Sequence, residues 1–161
     1  MEQADLERCA CNLALLRGWE PGIAEFEDIS AKYAAIWQNF WQPADLNGDG
    51  KVELEEYLTV AEKSIANFTN SAELQQAHAA KANIIFSILD ADSNGTISLA
   101  EYKQFCTAVQ LDEGIAEVAF AKLDQNGDGF ISREEYIEAS KDFHTSDDPN
   151  KPGNWLYGSY E

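Results

Sequence analysis

The run Asp124-Gln125-Asn126-Gly127-Asp128-Gly129-Phe130-Ile131-Ser132-Arg133-Glu134-Glu135 sets acidic and amide side chains around two glycines. Asp124, Asn126 and Asp128 bring side-chain oxygens at every second residue, and Glu135 closes the run. That spacing suits a hard cation that gathers about six to eight oxygens at roughly 2.3–2.6 Å. Gly129 allows the sharp turn in the middle, where a side chain would be strained. Phe130 needs to offer only its backbone carbonyl, Ser132 acts through a water, and Glu135 supplies both carboxylate oxygens. Ile131 is the apolar residue expected to pair this loop with another through a short strand.

The pattern occurs twice more. Asp90, Asp92, Asn94, Gly95, Thr96, Ile97, Ser98 and Glu101 form one copy; Asp45, Asn47, Asp49, Gly50, Lys51, Val52, Glu53 and Glu56 form the other. Thr96 and Lys51 stand where Phe130 does and give carbonyls. An isolated Asp-Asn-Gly cluster reads as a turn with solvated charges. Three complete copies, each between helical patterns and each closed by Glu, read instead as EF-hand calcium loops. The expected cofactor is Ca²⁺ at three sites with Mg²⁺ as competitor. The two oxygens of a closing Glu suit the larger ion, whereas Mg²⁺ prefers six ligands at about 2.0–2.1 Å.

Composition agrees. The formal net charge of the 161 residues is −18, and much of it sits in these loops. Without metal the carboxylates repel one another. Three Ca²⁺ would bring the formal charge to about −12, so binding should stabilise the fold. No basic stripe is present to neutralise phosphates, which argues against a nucleic-acid partner. No apolar run reaches the roughly 18–20 residues of a membrane span. Met1-Glu2-Gln3-Ala4-Asp5 does not read as a signal peptide, and the expected location is cytoplasmic. Cys9, Cys11 and Cys106 make no disulfide framework, and no second thiol pair or nearby His completes a soft-metal site with Cys9 and Cys11.

The fold class expected is all-α, built of helix–loop–helix hands. Apolar spacing predicts helices over 4–17, 24–42, 54–67, 72–89, 99–109, 113–123 and 133–144. Gly18 ends the first, and Ser71 is the N-cap of 72–89. Pro43 breaks the second helix just before Asp45, which predicts strain or a shifted geometry at that loop. His78 reads as a surface residue. Loop spacing pairs the Asp90 and Asp124 hands face to face and leaves the Asp45 hand without a partner. The expected division is an N-terminal half, 1–70, holding one hand; paired hands over 71–146; and an aromatic tail, 147–161, packed on the body through Trp155 and Tyr157.

The three loops, the long aromatic helix into the Asp45 loop, and Asp142-Phe143-His144 at the end of the last helix resemble calerythrin and the sarcoplasmic calcium-binding proteins. The resemblance covers nearly the whole chain and implies a compact four-hand arrangement. An additional hand precedes the Asp45 one in that family. Here Ala4-Asp5-Leu6-Glu7 looks like the end of such a loop, with Asp5 in the closing position and helix 4–17 as an orphan exit helix. A truncated or late-starting form is the expectation, and its unpaired Asp45 hand would bind more weakly or pair with a second copy in a dimer, the chain otherwise being a monomer. Asp148-Pro149 and Leu156-Tyr157-Gly158 look like the C-terminus of photoproteins and coelenterazine-binding proteins, which hold a hydrophobic ligand. Photoproteins end in proline, whereas this chain ends in Glu161.

Three functions compete: an intracellular calcium buffer or signal modulator, a sensor that grips a target protein, and a carrier of a hydrophobic ligand. Sensor hands expose a Met-rich groove, and the single methionine here is Met1. Trp19, Trp37, Trp41 and Trp155 suggest a well-filled core. No nucleophile–base arrangement or phosphate loop is visible, so no enzymatic role is expected. The buffer reading is preferred.

Overall fold

Local signals set the element boundaries. The computed structural model describes residues 1–111 and 113–158. Helix α1 is Gln3–Leu16. It ends at Gly18, whose φ of 72° is left-handed, and Trp19 N donates back to Ala14 O at 2.9 Å. Gly18 is thus the residue that can take this conformation at no steric cost. Helix α2, Ala24–Ile36, is shorter than its sequence pattern. It widens into a π-helical turn over Trp37–Trp41 and tightens into a 3₁₀ turn over Gln42–Ala44 that contains Pro43. The proline lacks an N–H and excludes a regular last turn.

Helix α3 is Leu54–Phe68 and α4 is Ala72–Leu89. Ser71 Oγ accepts from Leu74 N at 3.2 Å, the N-cap bond that the sequence signals. Strand β1, Thr96–Ser98, leads into α5, Leu99–Ala108; α6 is Glu113–Leu123; strand β2, Phe130–Ser132, leads into α7, Arg133–Thr145. A 3₁₀ turn at Pro152–Trp155 opens the C-terminal tail. Tyr160 lies outside the described residues.

The chain divides into two compact units, Met1–Ala77 and His78–Glu161. In the first, α1 lies against α2. Trp37, Ala44 and Val52 form a buried cluster flanked by Leu6, Trp41 and Val60. Of the four tryptophans only Trp37 is buried. Trp41 instead stacks on Tyr57 and Trp19 lies under the Arg17 guanidinium. In the second unit the core is built on Phe86, Leu89, Ile97, Tyr102, Leu123 and Tyr136. Arg133 ties α7 to α4: its Nη1 donates to Asn83 Oδ1 at 2.8 Å and its guanidinium lies 4.3 Å over the Phe86 ring.

The tail belongs to this second unit. Leu156, rather than its aromatic neighbours, is the buried anchor; Trp155 and Tyr157 are half-buried. Tyr102 Oη donates to the Trp155 and Leu156 carbonyls, each at 3.3 Å. Among the described residues no helix is long and apolar enough to cross a membrane.

Candidate metal centres

Each loop is folded by its own acidic and amide side chains. In the Asp124 loop, Asp124 Oδ1 accepts from Gly127 N at 2.9 Å and Asp128 N at 3.2 Å, and Oδ2 accepts from Gly129 N at 2.9 Å. Glu135 reaches back across the loop: Oε1 accepts from Gln125 N and Asn126 N at 3.0 and 3.2 Å, and Oε2 accepts from Ser132 N and Oγ at 2.8 and 2.7 Å. Partial burial pushes the Glu135 carboxyl up, but these bonds outweigh it and hold the carboxyl below its usual range. Ser132 Oγ in turn accepts from Glu135 N at 3.2 Å, so the closing residue is also the third residue of a capping box that starts α7.

The Asp90 loop repeats this. Asp90 accepts from Asn94 N and Gly95 N at 3.0 and 3.1 Å, and Glu101 accepts from Ala91 N and Ser98 N, both at 2.8 Å. Asn94 Oδ1 accepts from Thr96 N and Oγ1, both at 2.8 Å. Carboxylate oxygens of Asp90, Asp92 and Glu101 lie within 4.8 Å of one another. Asp90 and Glu101 are only 6% and 8% exposed. Three like charges gathered this closely, two of them away from water, favour a divalent cation among them strongly. Where the other loops place Gly48 and Gly127, this one places Ser93 at a φ of 57°.

The Asp45 loop has the same hydrogen-bond pattern. Gly48 N and Gly50 N donate to Asp45 at 2.8 and 2.9 Å, Asp49 N donates to Asn47 Oδ1 at 2.8 Å, and Lys51 N donates to Asp49 Oδ1 at 2.9 Å. Glu56 accepts from Leu46 N and Asn47 N at 2.9 and 3.1 Å and from Glu53 N at 3.0 Å. The shift expected from Pro43 is therefore absorbed by the π and 3₁₀ turns ahead of the loop, and the loop itself is unperturbed.

Pairing brings the second correction. In the second unit β1 and β2 run antiparallel with Ile97 opposite Ile131, both fully buried. The Asp45 loop is not left alone, because Glu2 bridges Lys51 antiparallel. Met1 N donates to Val52 O at 2.9 Å, Val52 N donates to Met1 O at 2.8 Å, and Lys51 Nζ meets Glu2 Oε1 at 3.0 Å. Glu2 N donates to Asp5 Oδ2 at 2.9 Å within a capping box, as Glu53 does to Glu56. Counting back from Asp5 as a closing residue puts Met1 where Val52 stands before Glu56. The signal was thus present in the sequence, but pairing needs only this second half of a loop. The same chain occupies the edge through which a dimer was expected.

The magnitudes separate two effects here. The Glu2–Lys51 ion pair is largely exposed, so solvent screens it and it contributes little. The two Met1–Val52 backbone bonds, at about 0.5–1.5 kcal/mol each, matter more. Glu2→Ala should therefore change calcium affinity at the Asp45 loop less than about fivefold. Removing residues 1–4 should weaken it about tenfold and spare the other two loops. Site-resolved calorimetric titration checks this; equal effects of both changes would contradict the ordering.

Two units with helix–loop–helix geometry and acidic loops define an EF-hand protein. A family model described as an EF-hand domain pair matches residues 80–141, and one described as an EF hand matches 43–61. The chain is 26% identical over 144 residues to calerythrin of Saccharopolyspora erythraea, covering 89% of this chain and 81% of that protein. It is 30% identical over 142 residues to the luciferin-binding protein of Renilla reniformis, covering 84% of this chain and 76% of that protein. Among solved structures, a sarcoplasmic calcium-binding protein from amphioxus matches with a TM-score of 0.70 at 22% identity, covering 100% of this chain and 86% of that one. The chain belongs to the EF-hand calcium-binding proteins of the calerythrin and sarcoplasmic calcium-binding type, and its cofactor is Ca²⁺.

Proposed function

We propose that the chain is a calcium buffer or signal modulator with three sites and no catalytic role. The observation that carries this is the convergence of Asp90, Asp92 and Glu101 oxygens within 4.8 Å, with two of these carboxylates buried. The ligand sets are Asp90, Asp92, Asn94, Thr96, Ser98 and Glu101; Asp124, Asn126, Asp128, Phe130, Ser132 and Glu135; and Asp45, Asn47, Asp49, Lys51, Glu53 and Glu56. Each loop shares the hydrogen-bond pattern that turns its first Asp and last Glu inward. The paired Asp90 and Asp124 loops are coupled and tighter. A single methionine in the chain argues against an adaptable target groove.

A sensor reading has one observation in its favour. Leu54, Tyr57, Leu58 and Ile65 of α3 are exposed and recur at helical spacing. An apolar dye titrated with calcium in millimolar Mg²⁺ separates the two. Flat or falling fluorescence supports the buffer, whereas a rise of several-fold supports the sensor. Calcium stoichiometry below three in the same titration would contradict the three-site reading.

A further inference from the structure

His78 on α4 and His144 in the last turn of α7 meet outside the loops. His144 Nδ1 lies 2.8 Å from the Ser140 carbonyl oxygen, an atom that can only accept, so Nδ1 carries the ring proton. His78 Nε2 is 3.2 Å from that nitrogen and 3.5 Å from Ser140 Oγ. It is therefore the bare nitrogen of a neutral ring. A proton there would set N–H against N–H. The rings stand edge to face, centroids 4.8 Å apart, and Phe143 packs on His144 and carries the cluster on to Tyr157 of the tail. The charged groups facing the pair are cationic: Lys81 from α4, whose burial lowers its own pKa, and Lys141 from α7.

We propose that the His78–His144 pair is a proton-sensitive clasp between α4 and α7, closed when both rings are neutral and opened when His78 takes a proton. Helix α4 enters the Asp90 loop and α7 leaves the Asp124 loop, so opening loosens both ends of the paired hands. This consequence for calcium rests on the reading of those loops as calcium sites. Burial, then His144, then Lys81 push His78 down to about 4, against a contact with the Ser140 backbone that raises it. Burial and Lys81 also lower His144 against the Ser140 bond that raises it. The depressed value means that the open state binds the proton first. Closure is at full strength above the ordinary histidine value of about 6.5 and is lost progressively as pH falls toward about 4. Between pH 7 and pH 5 the opening equilibrium should rise roughly twentyfold.

Hydrogen exchange of the α4 peptide 79–89 tests this in the full chain at saturating calcium, corrected for the intrinsic pH dependence of exchange. Protection should fall roughly twentyfold from pH 7 to pH 5 in the parent. It should fall less than about threefold in H78Q, which keeps polar atoms but cannot titrate. H144Q, which retains a donor for the Ser140 carbonyl, serves as the second variant. An unchanged step in both variants overturns the clasp, as does a His78 ring proton that titrates at or above pH 6.5 by NMR in the parent. Chelator competition at pH 7 keeps the two readings apart. Absence of calcium binding there defeats the calcium reading, whereas intact binding with an unchanged pH step in both variants defeats only the clasp.

Discussion

Glu135→Gln should remove one calcium from the micromolar stoichiometry and leave the helices in place. The substitution keeps one side-chain oxygen, so Gln125 N and Asn126 N retain an acceptor where Glu135 Oε1 stands. It replaces the other oxygen by an NH₂ that faces Ser132 N and Oγ, two donors that now bond Oε2. The site loses a unit charge and one of two ligand oxygens together. After the desolvation of the lost carboxylate is offset, the penalty is of order 3 kcal/mol, about a hundredfold in affinity. The other half of the capping box, residue 135 N donating to Ser132 Oγ, does not depend on the side chain, so the start of α7 survives. Far-ultraviolet dichroism should therefore hold steady while the Asp124 site drops out of a calcium titration. The Asp90 site should weaken by a smaller factor, because its strand partner Ile131 remains in register with Ile97. An unchanged stoichiometry would remove Glu135 from the ligand set and, with it, the reading of the loop.

The loops were legible because a calcium loop is a local code: ligand, turn glycine and closing Glu lie within one short stretch and cap the exit helix themselves. The helices were legible from apolar spacing, and their ends from Gly18, Ser71 and the loop caps. Three features were not. The partner of the Asp45 loop is the Met1–Glu2 stretch: Asp5 in a closing position pointed to it, but that half a loop suffices for two backbone hydrogen bonds has no side-chain signature. The effect of Pro43 depended on where the chain could absorb a missing N–H. The aromatic helix ahead of it had room for a π turn, so the loop did not move. His78 looked like a surface residue because its partner, His144, stands sixty-six residues away on another helix. Sequence spacing carries contacts within an element and the pairing of repeated loops, as with Ile97 and Ile131; it does not carry a side-chain contact between helices such as His78 with His144.

The tail poses the same limit and gives the second large expectation. Gly153 shows no positive φ, so nothing in its own conformation demands glycine; the demand comes from α7. A Cβ at this position would fall against the Ala139 carbonyl oxygen, 2.6 Å from Phe143 N and 2.7 Å from Asp142 Cβ. All three belong to one turn of helix that cannot step aside without breaking its own ladder. Gly153→Ala therefore forces the tail off rather than the helix. Undocking exposes Leu156, worth about 1.5–3 kcal/mol. It also frees the Trp155 and Leu156 carbonyls from Tyr102 Oη, and it pulls Lys151 from Asp142, which sit 3.4 Å apart. Tyr102 follows Glu101 directly, so the anchor and the closing Glu of the Asp90 loop share one helical turn. The variant should melt roughly 4–8 °C lower at saturating calcium, since about 2 kcal/mol corresponds to that shift in a chain of this size. Chymotrypsin should cut after Tyr157 before any other site. An unaltered melting temperature with Tyr157 still protected would mean that the tail tolerates the added methyl and does not depend on this close approach. The same melt in calcium-free buffer divides the causes. An equal drop with and without metal marks the tail as a static strap. A larger drop with calcium bound means that closing the Asp90 loop around its ion draws Tyr102 toward the tail carbonyls, so that the tail and the ion stabilise one conformation of α5.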